Sequence, residues 1–301
     1  MMPLPPSLLR GSYPPLVTPL RDDRIDCDAY AALVEFQVRE GSHGIVVNGT
    51  TAEPSLLSVA ERKRLCEVAI ASAAGRLSVV VATGGQSHAE TLELTEHASA
   101  AGADALLIVT PYYVKPPQRG LVEYFVDLGR RASLPLLVYH IPGRAAVSIT
   151  IDTLAAIAER APTFVGVKHA AEDLGLVTEM LRRFGPEFRV MVGLEELSFP
   201  MLAIGASGMI NAVGNLAPRK VSALYAAVAE GNLAEARRLH FELFDLNRAV
   251  FFDTNPIPLK YMMKRIGLLA DDAHRLPMMP AGVELAARLD AVLERAGLRI
   301  A

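Results

Sequence analysis

The chemistry in this 301-residue sequence centres on one lysine and a group of hydroxyls. Lys168 ends the apolar run of the segment FVGVKHAAED, and lysine is among the residues least often buried. Side chains alternate along a strand, so Val165 and Val167 are expected to pack outward against helices. Gly166 and Lys168 then face inward, with Gly166 leaving space beside the amine. An amine held away from water favours its neutral, nucleophilic form, which suits Schiff-base chemistry with a carbonyl. The segment by itself also admits a lysine that emerges at a strand end and pairs with a carboxylate. Other apolar runs end in Thr18, Thr50, Thr51, Thr110, Tyr112, Tyr113, Tyr139, Glu195 and Asn211. A lone phenol, with an ordinary pKa near 10, is a weak general base, but a chain of hydroxyls can pass a proton to solvent without stranding charge. A threonine-bearing turn entering a helix offers backbone N–H groups and hydroxyls together, which is what a substrate carboxylate needs.

Bringing these residues to one place requires a frame, and the hydrophobic pattern describes one. Eight short apolar runs, Gly11 to Leu20, His43 to Thr51, Leu77 to Gly85, Ala103 to Tyr113, Leu134 to Arg144, Thr163 to Ala170, Phe188 to Glu196 and Ala206 to Asn215, alternate with segments of helical periodicity. Near-continuous apolar strands separated by helices indicate a parallel sheet covered on both faces, and eight units favour a closed (β/α)8 TIM barrel over an open sheet. In such a barrel the active site lies at the C-terminal strand ends, where the hydroxyls and Lys168 are expected to meet. After Asn215 the strand signal stops. Residues 1–234 read as the catalytic barrel, with its eighth helix near Ala217 to Ala234, and residues 235–301 as a C-terminal helical extension.

Composition excludes other classes. With 51% hydrophobic and 21% charged residues the chain reads as globular, and a formal charge of −3 gives no basic face for nucleic acid or an anionic membrane. Cys27 and Cys66 are too few for a disulfide framework and lack zinc spacing, which fits a reducing cytoplasm. The start MMPLPPSLLRGSYPP is too proline-rich for a signal peptide, and no run reaches the roughly 18 apolar residues of a membrane helix. Gly84 and Gly85 form no phosphate loop, and the histidines show no HExxH spacing, so no cofactor or metal site is expected. Thr50 and Thr51 also suit plain helix capping, and Tyr139 and Tyr112 suit core tyrosines.

Four ordered motifs then add a resemblance. GTTAE at Gly49 to Glu53, TPYY at Thr110 to Tyr113, YHIPGR at Tyr139 to Arg144 and GVKHA at Gly166 to Ala170 resemble the signatures of the dihydrodipicolinate synthase and N-acetylneuraminate lyase family. The likeness runs from PLVTPL through ASGMINAV to NPIPLKYMM at Asn255 to Met263. It implies a class I aldolase barrel, usually a homotetramer, that binds pyruvate as an imine and needs neither metal nor cofactor. Lys168 matches the imine-forming lysine and Tyr139 the tyrosine that moves protons to and from the bound keto acid. Thr50 and Tyr113 match the other relay members, Tyr113 reaching across from a neighbouring subunit. Thr51 matches the residue that holds the pyruvate carboxylate, and Ile210 the strand-eight residue lining that pocket.

Arg144 matches the arginine with which the family's synthases hold an aldehyde's carboxylate, a geometry that suits a guanidinium fork. The resemblance therefore implies condensation of pyruvate with an acidic aldehyde, aspartate semialdehyde first, in lysine synthesis. Two other readings stand beside it. One is a catabolic aldolase cleaving a diacid such as 2,4-dihydroxyhept-2-enedioate to pyruvate and succinic semialdehyde; the other is a catalytically silent keto-acid binder. Ala52, His140, His169 and Gly193 to Glu196 depart from the family's usual residues, on the aldehyde side of the site.

Overall fold

The computed structural model describes residues 1–298. Eight strands, β1 (Gly11–Ser12), β2 (Gly44–Val47), β3 (Ser78–Ala82), β4 (Ala105–Val109), β5 (Leu136–His140), β6 (Phe164–His169), β7 (Arg189–Val192) and β8 (Gly208–Met209), form one sheet. All pairings are parallel, each strand from β2 to β8 lying beside its chain neighbour and β8 beside β1. The ring closes from β1 to β2 where the Val46 N–H donates to the Pro14 carbonyl at 2.9 Å and the Leu16 N–H to the Val46 carbonyl at 3.0 Å.

Helices α1 (Cys27–Arg39), α2 (Val59–Ala73), α3 (His88–Ala101), α4 (Gln118–Arg131), α5 (Ile151–Arg160), α6 (Leu174–Phe184), α7 (Ser198–Ala203) and α8 (Pro218–Ala229) alternate with the strands. Then α9 (Leu233–Ala249), α10 (Ile257–Arg265) and α11 (Val283–Arg295) follow as a helical extension. The expected barrel architecture is therefore the one the chain forms. Among the described residues no helix is long and apolar enough to cross a membrane.

The first and last apolar runs contribute only two strand residues each. Pro14 and Pro15 have no amide hydrogen to give a ladder, and beyond Met209 the chain winds into a 3₁₀ turn at Ala212–Asn215. β1 and β8 approach so closely that a Cβ on Gly208 would lie 2.4 Å from the Gly11 carbonyl oxygen, so only glycine fits there.

Inside the ring, Val46, Val80, Leu107, Leu137, Met191 and Ile210 pack together with Tyr139. Larger clusters join the outer strand faces to the helices. One strand departs from the expected alternation. Leu136 pairs with Phe164 but Leu137 with Gly166, so Val165 is an extra residue in a β-bulge. The bulge turns Val165 into the barrel beside Tyr139, whereas Val167 packs outward as expected. The expectation for Val165 is thus corrected, while alternation resumes after the bulge and still aims Lys168 inward, opposite Tyr139 in register.

Gly166 also serves a different end from the one expected. A Cβ there would meet the Arg189 carbonyl oxygen at 2.0 Å, so Gly166 permits the close approach of β6 and β7. Room for the lysine comes from Gly193, where a Cβ would sit 2.9 Å from the Lys168 Cε.

Candidate active site

Lys168 is 4% exposed, and its Nζ lies 4.1 Å from the centre of the Tyr139 ring. Among the described residues no carboxylate stands within the 4.0 Å of an ion pair with it, which disfavours a lysine held only by a salt bridge. The Tyr139 hydroxyl is 3.2 Å from Thr50 Oγ1. The two hydroxyls form a short relay that can take up and return a proton beside the amine, which itself packs on the ring face. Ile210, 1% exposed, belongs to the same interior cluster as Tyr139.

The threonines sit on a tight 3₁₀ turn, Thr50–Ala52, that follows β2. Glu53 ends it in the left-handed region, at φ +57° and ψ +44°. That conformation is unfavourable for a residue with a side chain, and the side chain is pinned accordingly. Lys260 Nζ donates to Glu53 Oε1 at 2.8 Å and His274 Nδ1 lies 2.8 Å from Oε2. Burial pushes the Glu53 carboxyl up, but His274 and Lys260 outweigh it and hold it below the usual carboxylate range. The start of α2 is fixed by a reciprocal cap, Ser58 Oγ accepting the Glu61 N–H and the Glu61 carboxylate accepting the Ser58 N–H. The turn is thus held from both sides, by the helix after it and by the C-terminal extension.

Thr51 is buried, and its Oγ1 accepts a 3.0 Å hydrogen bond from Asn255 Nδ2. The backbone carbonyl of the same asparagine accepts from Arg144 Nη2 at 3.3 Å. Thr50, Tyr139, Arg144, Tyr112, Asn255 and Met278 are among the residues lining a cavity of about 420 Å³ above the strand ends. Lys168 is not among the lining residues; it meets the cavity wall through Tyr139, on whose ring its amine packs. Arg62 forms part of the wall, its buried guanidinium giving Nη1 to Glu90 at 3.1 Å and Nη2 to the Ala82 and Gly84 carbonyls at 3.2 Å.

The structure therefore brings together Lys168, Tyr139, Thr50, Thr51, Arg144 and Ile210. Tyr113 is placed elsewhere: it stands at the tip of the loop after β4, 85% exposed, at φ +73°. Sequence reasoning missed Asn255, Met278 and the Glu53 anchors, all from the C-terminal extension. The NPIPLKYMM segment was visible in sequence, but nothing local tells which of its side chains turns back to β2.

Two further buried groups border the site. Glu195 is pushed up to about 7 by burial, against the N–H groups of Ala212 and of its own backbone, and against the charge of Lys168. Its Oε1 accepts from the Ala212 N–H at 2.5 Å, tying the end of β7 to the turn after β8. His140 and His169 are register neighbours on the outer faces of β5 and β6, with their Nδ1 atoms 3.1 Å apart, so one donates and the other accepts. Both Nε2 atoms are buried without a hydrogen-bond partner among the described residues.

This histidine pair has a consequence for stability. Burial first, then His169, brings His140 down to about 4, with Asp173 opposing; burial likewise lowers His169, again opposed by Asp173. An unfolded histidine titrates near 6.5, so between that value and about 4 the unfolded chain binds more protons. Stability is then lost as pH falls through this window. From His140 alone the loss between pH 7 and pH 5 is about 2 kcal/mol. We expect the urea midpoint to fall over that interval, and to fall less in His140→Asn. Equal falls in the two proteins would refute the assignment.

The comparisons with known proteins agree with this geometry. The model of the Dihydrodipicolinate synthetase family matches residues 8–296. The 4-hydroxy-tetrahydrodipicolinate synthase of Thermus thermophilus is 44% identical over 292 residues, which are 97% of each chain. The crystal structure of dihydrodipicolinate synthase from Aquifex aeolicus aligns with a TM-score of 0.95 at 37% identity, covering 97% of this chain and 99% of that one. The chloride-inhibited dihydrodipicolinate synthase from Acinetobacter baumannii, complexed with pyruvate, aligns with a TM-score of 0.93 at 34% identity, covering 96% and 99%. With the barrel, the inward lysine and these matches over nearly its full length, the chain belongs to the dihydrodipicolinate synthetase family.

Proposed function

We propose that the chain acts as a 4-hydroxy-tetrahydrodipicolinate synthase, a class I aldolase that joins pyruvate to aspartate semialdehyde through an imine on Lys168. The observation that carries this reading is the buried Lys168 amine, free of any carboxylate partner among the described residues and packed on Tyr139, whose hydroxyl meets Thr50. The shared name of the relatives supports the substrate pair.

The neutral amine adds to the pyruvate ketone; loss of water leaves a protonated imine, which acts as an electron sink. A C3 proton passes to the Tyr139 and Thr50 hydroxyls, giving an enamine that attacks the aldehyde carbon. The relay returns a proton to the new alkoxide. The amine of the semialdehyde then displaces Lys168 as the product ring closes. Thr51 and the backbone of its turn hold the pyruvate carboxylate, Arg144 takes that of the aldehyde, and Ile210 packs against the keto acid. No dissociable cofactor or metal enters this sequence.

Tyr113, exposed beside Val114 at its loop tip, supports a homotetramer in which Tyr113 of the partner subunit completes the relay. The partners are then small-molecule acids and other copies of the chain, with no nucleic acid or membrane, and the setting is the cytoplasm.

Borohydride reduction with pyruvate, followed by peptide mass mapping, is expected to place a covalent adduct on Lys168; no adduct, or one elsewhere, defeats the reading. Assayed with each aldehyde in turn, the enzyme is expected to prefer aspartate semialdehyde. Faster turnover with succinic semialdehyde favours the catabolic aldolase.

A further inference from the structure

We propose that Asn255 is a positioning residue for the keto-acid carboxylate: its carboxamide fixes the Thr51 hydroxyl so that the hydroxyl's only proton is left for the ligand. The inference rests on the proposed role of Thr51. A threonine hydroxyl has one proton and two lone pairs, and it rotates to suit its neighbours. Here Asn255 Nδ2 lies 3.0 Å from Thr51 Oγ1 and occupies one lone pair. With an N–H directed at the oxygen, the hydroxyl cannot spend its proton on Asn255 and can donate it to a carboxylate. The opposite orientation of the amide would point Oδ1 at Thr51 and consume that proton.

The rest of the residue sharpens the argument. Asn255 is buried, and among the described residues its Oδ1 has no hydrogen-bond partner. The residue's backbone carbonyl accepts from Arg144 Nη2 at 3.3 Å, so one residue of the extension touches the groups proposed for both substrate carboxylates. The side chain serves only the Thr51 side. Substitution is therefore expected to separate the two substrates, affecting pyruvate more than the aldehyde.

Pyruvate occupancy is read as the extent of borohydride-trapped adduct on Lys168 against pyruvate concentration, without aldehyde. In Asn255→Ala the half-saturating pyruvate concentration is expected to rise about 10-fold. In Asn255→Asp, where a carboxylate takes the Thr51 proton and repels the ligand, the rise is about 100-fold. The KM for the aldehyde moves less than threefold in Asn255→Ala, and its thermal midpoint stays near that of the parent. In a Thr51→Val background Asn255→Ala adds no further rise, because the hydroxyl through which it acts is gone. Half-saturation within threefold of the parent in both variants, or equal effects of Asn255→Ala with and without Thr51, would overturn the inference. A parent enzyme that yields no adduct defeats the reading beneath it instead, and the two failures are told apart by that first measurement.

Discussion

Lys168→Ala is expected to lower turnover by on the order of 10⁴-fold or more, because no other group at the strand ends can form the covalent intermediate. Lys168→Arg is expected to fail as completely. Its guanidinium stays charged at any pH the protein survives, so it keeps the positive charge and loses the nucleophile. The pair of variants therefore separates covalent catalysis from simple electrostatic attraction of the keto acid. Neither loss is expected to be a folding defect. The amine is 4% exposed with no ion-pair partner among the described residues, so alanine breaks no ion pair, and the buried Glu195 carboxyl that feels the lysine charge can answer by keeping its proton. The outward-facing Val167 and Phe164, which pack β6 against the helices, are untouched. Circular dichroism and thermal midpoints near those of the parent should accompany the lost activity and the absent borohydride adduct. Residual turnover within tenfold of the parent in either variant sinks the imine mechanism.

How much of this was legible in sequence follows from how local each feature is. The barrel was, because each strand and helix declares itself within ten or fifteen residues and the parallel order follows from the alternation. Lys168 was, because a lysine ending a buried run is anomalous without a partner. Val165 was not. Whether a strand carries a bulge depends on the register of the strand beside it, and β5 lies 25 residues and more upstream in the chain, with its own pattern regular. The role expected of Gly166, leaving space for the lysine, falls to Gly193 for the same reason. Which glycine clears space for the lysine depends on β7, the strand paired beside β6, at whose end Gly193 lies.

Asn255 was invisible on different grounds. It meets Thr51 across 204 residues, from a loop between two helices of the extension, and no periodicity encodes such a contact. The Glu53 anchors are similar, at separations of 207 and 221 residues. The strained backbone at Glu53 explains why the anchors matter. A non-glycine residue at positive φ persists only where its surroundings over-determine it, and here the extension supplies both the cation and the imidazole. The extension is therefore part of the site's support, although all the predicted site residues lie in the barrel.

Tyr139→Phe is expected to lower kcat by about 10² to 10⁴-fold, the usual range for losing a positioned proton carrier. The substitution is narrow. Phenylalanine keeps the ring whose face lies 4.1 Å from the Lys168 amine, and it removes only the hydroxyl that lies 3.2 Å from Thr50 Oγ1. As a neutral hydrogen bond that contact is worth about 1 kcal/mol to the fold, whereas a 10³-fold slower turnover corresponds to about 4 kcal/mol in the barrier. Stability and activity should therefore move by different amounts, which a structural role for Tyr139 cannot reproduce. The step that suffers is the proton transfer at C3. The pyruvate imine should still accumulate and be trapped on Lys168, while exchange of the pyruvate methyl protons with deuterated solvent slows in proportion to kcat. Thr50→Val removes the next hydroxyl in the path and leaves the first, so its loss should be smaller and should not add fully to that of Tyr139→Phe. If Tyr139→Phe turns over within threefold of the parent, or exchanges the methyl protons as fast, the proton path runs elsewhere and the packed ring is only a wall for the amine.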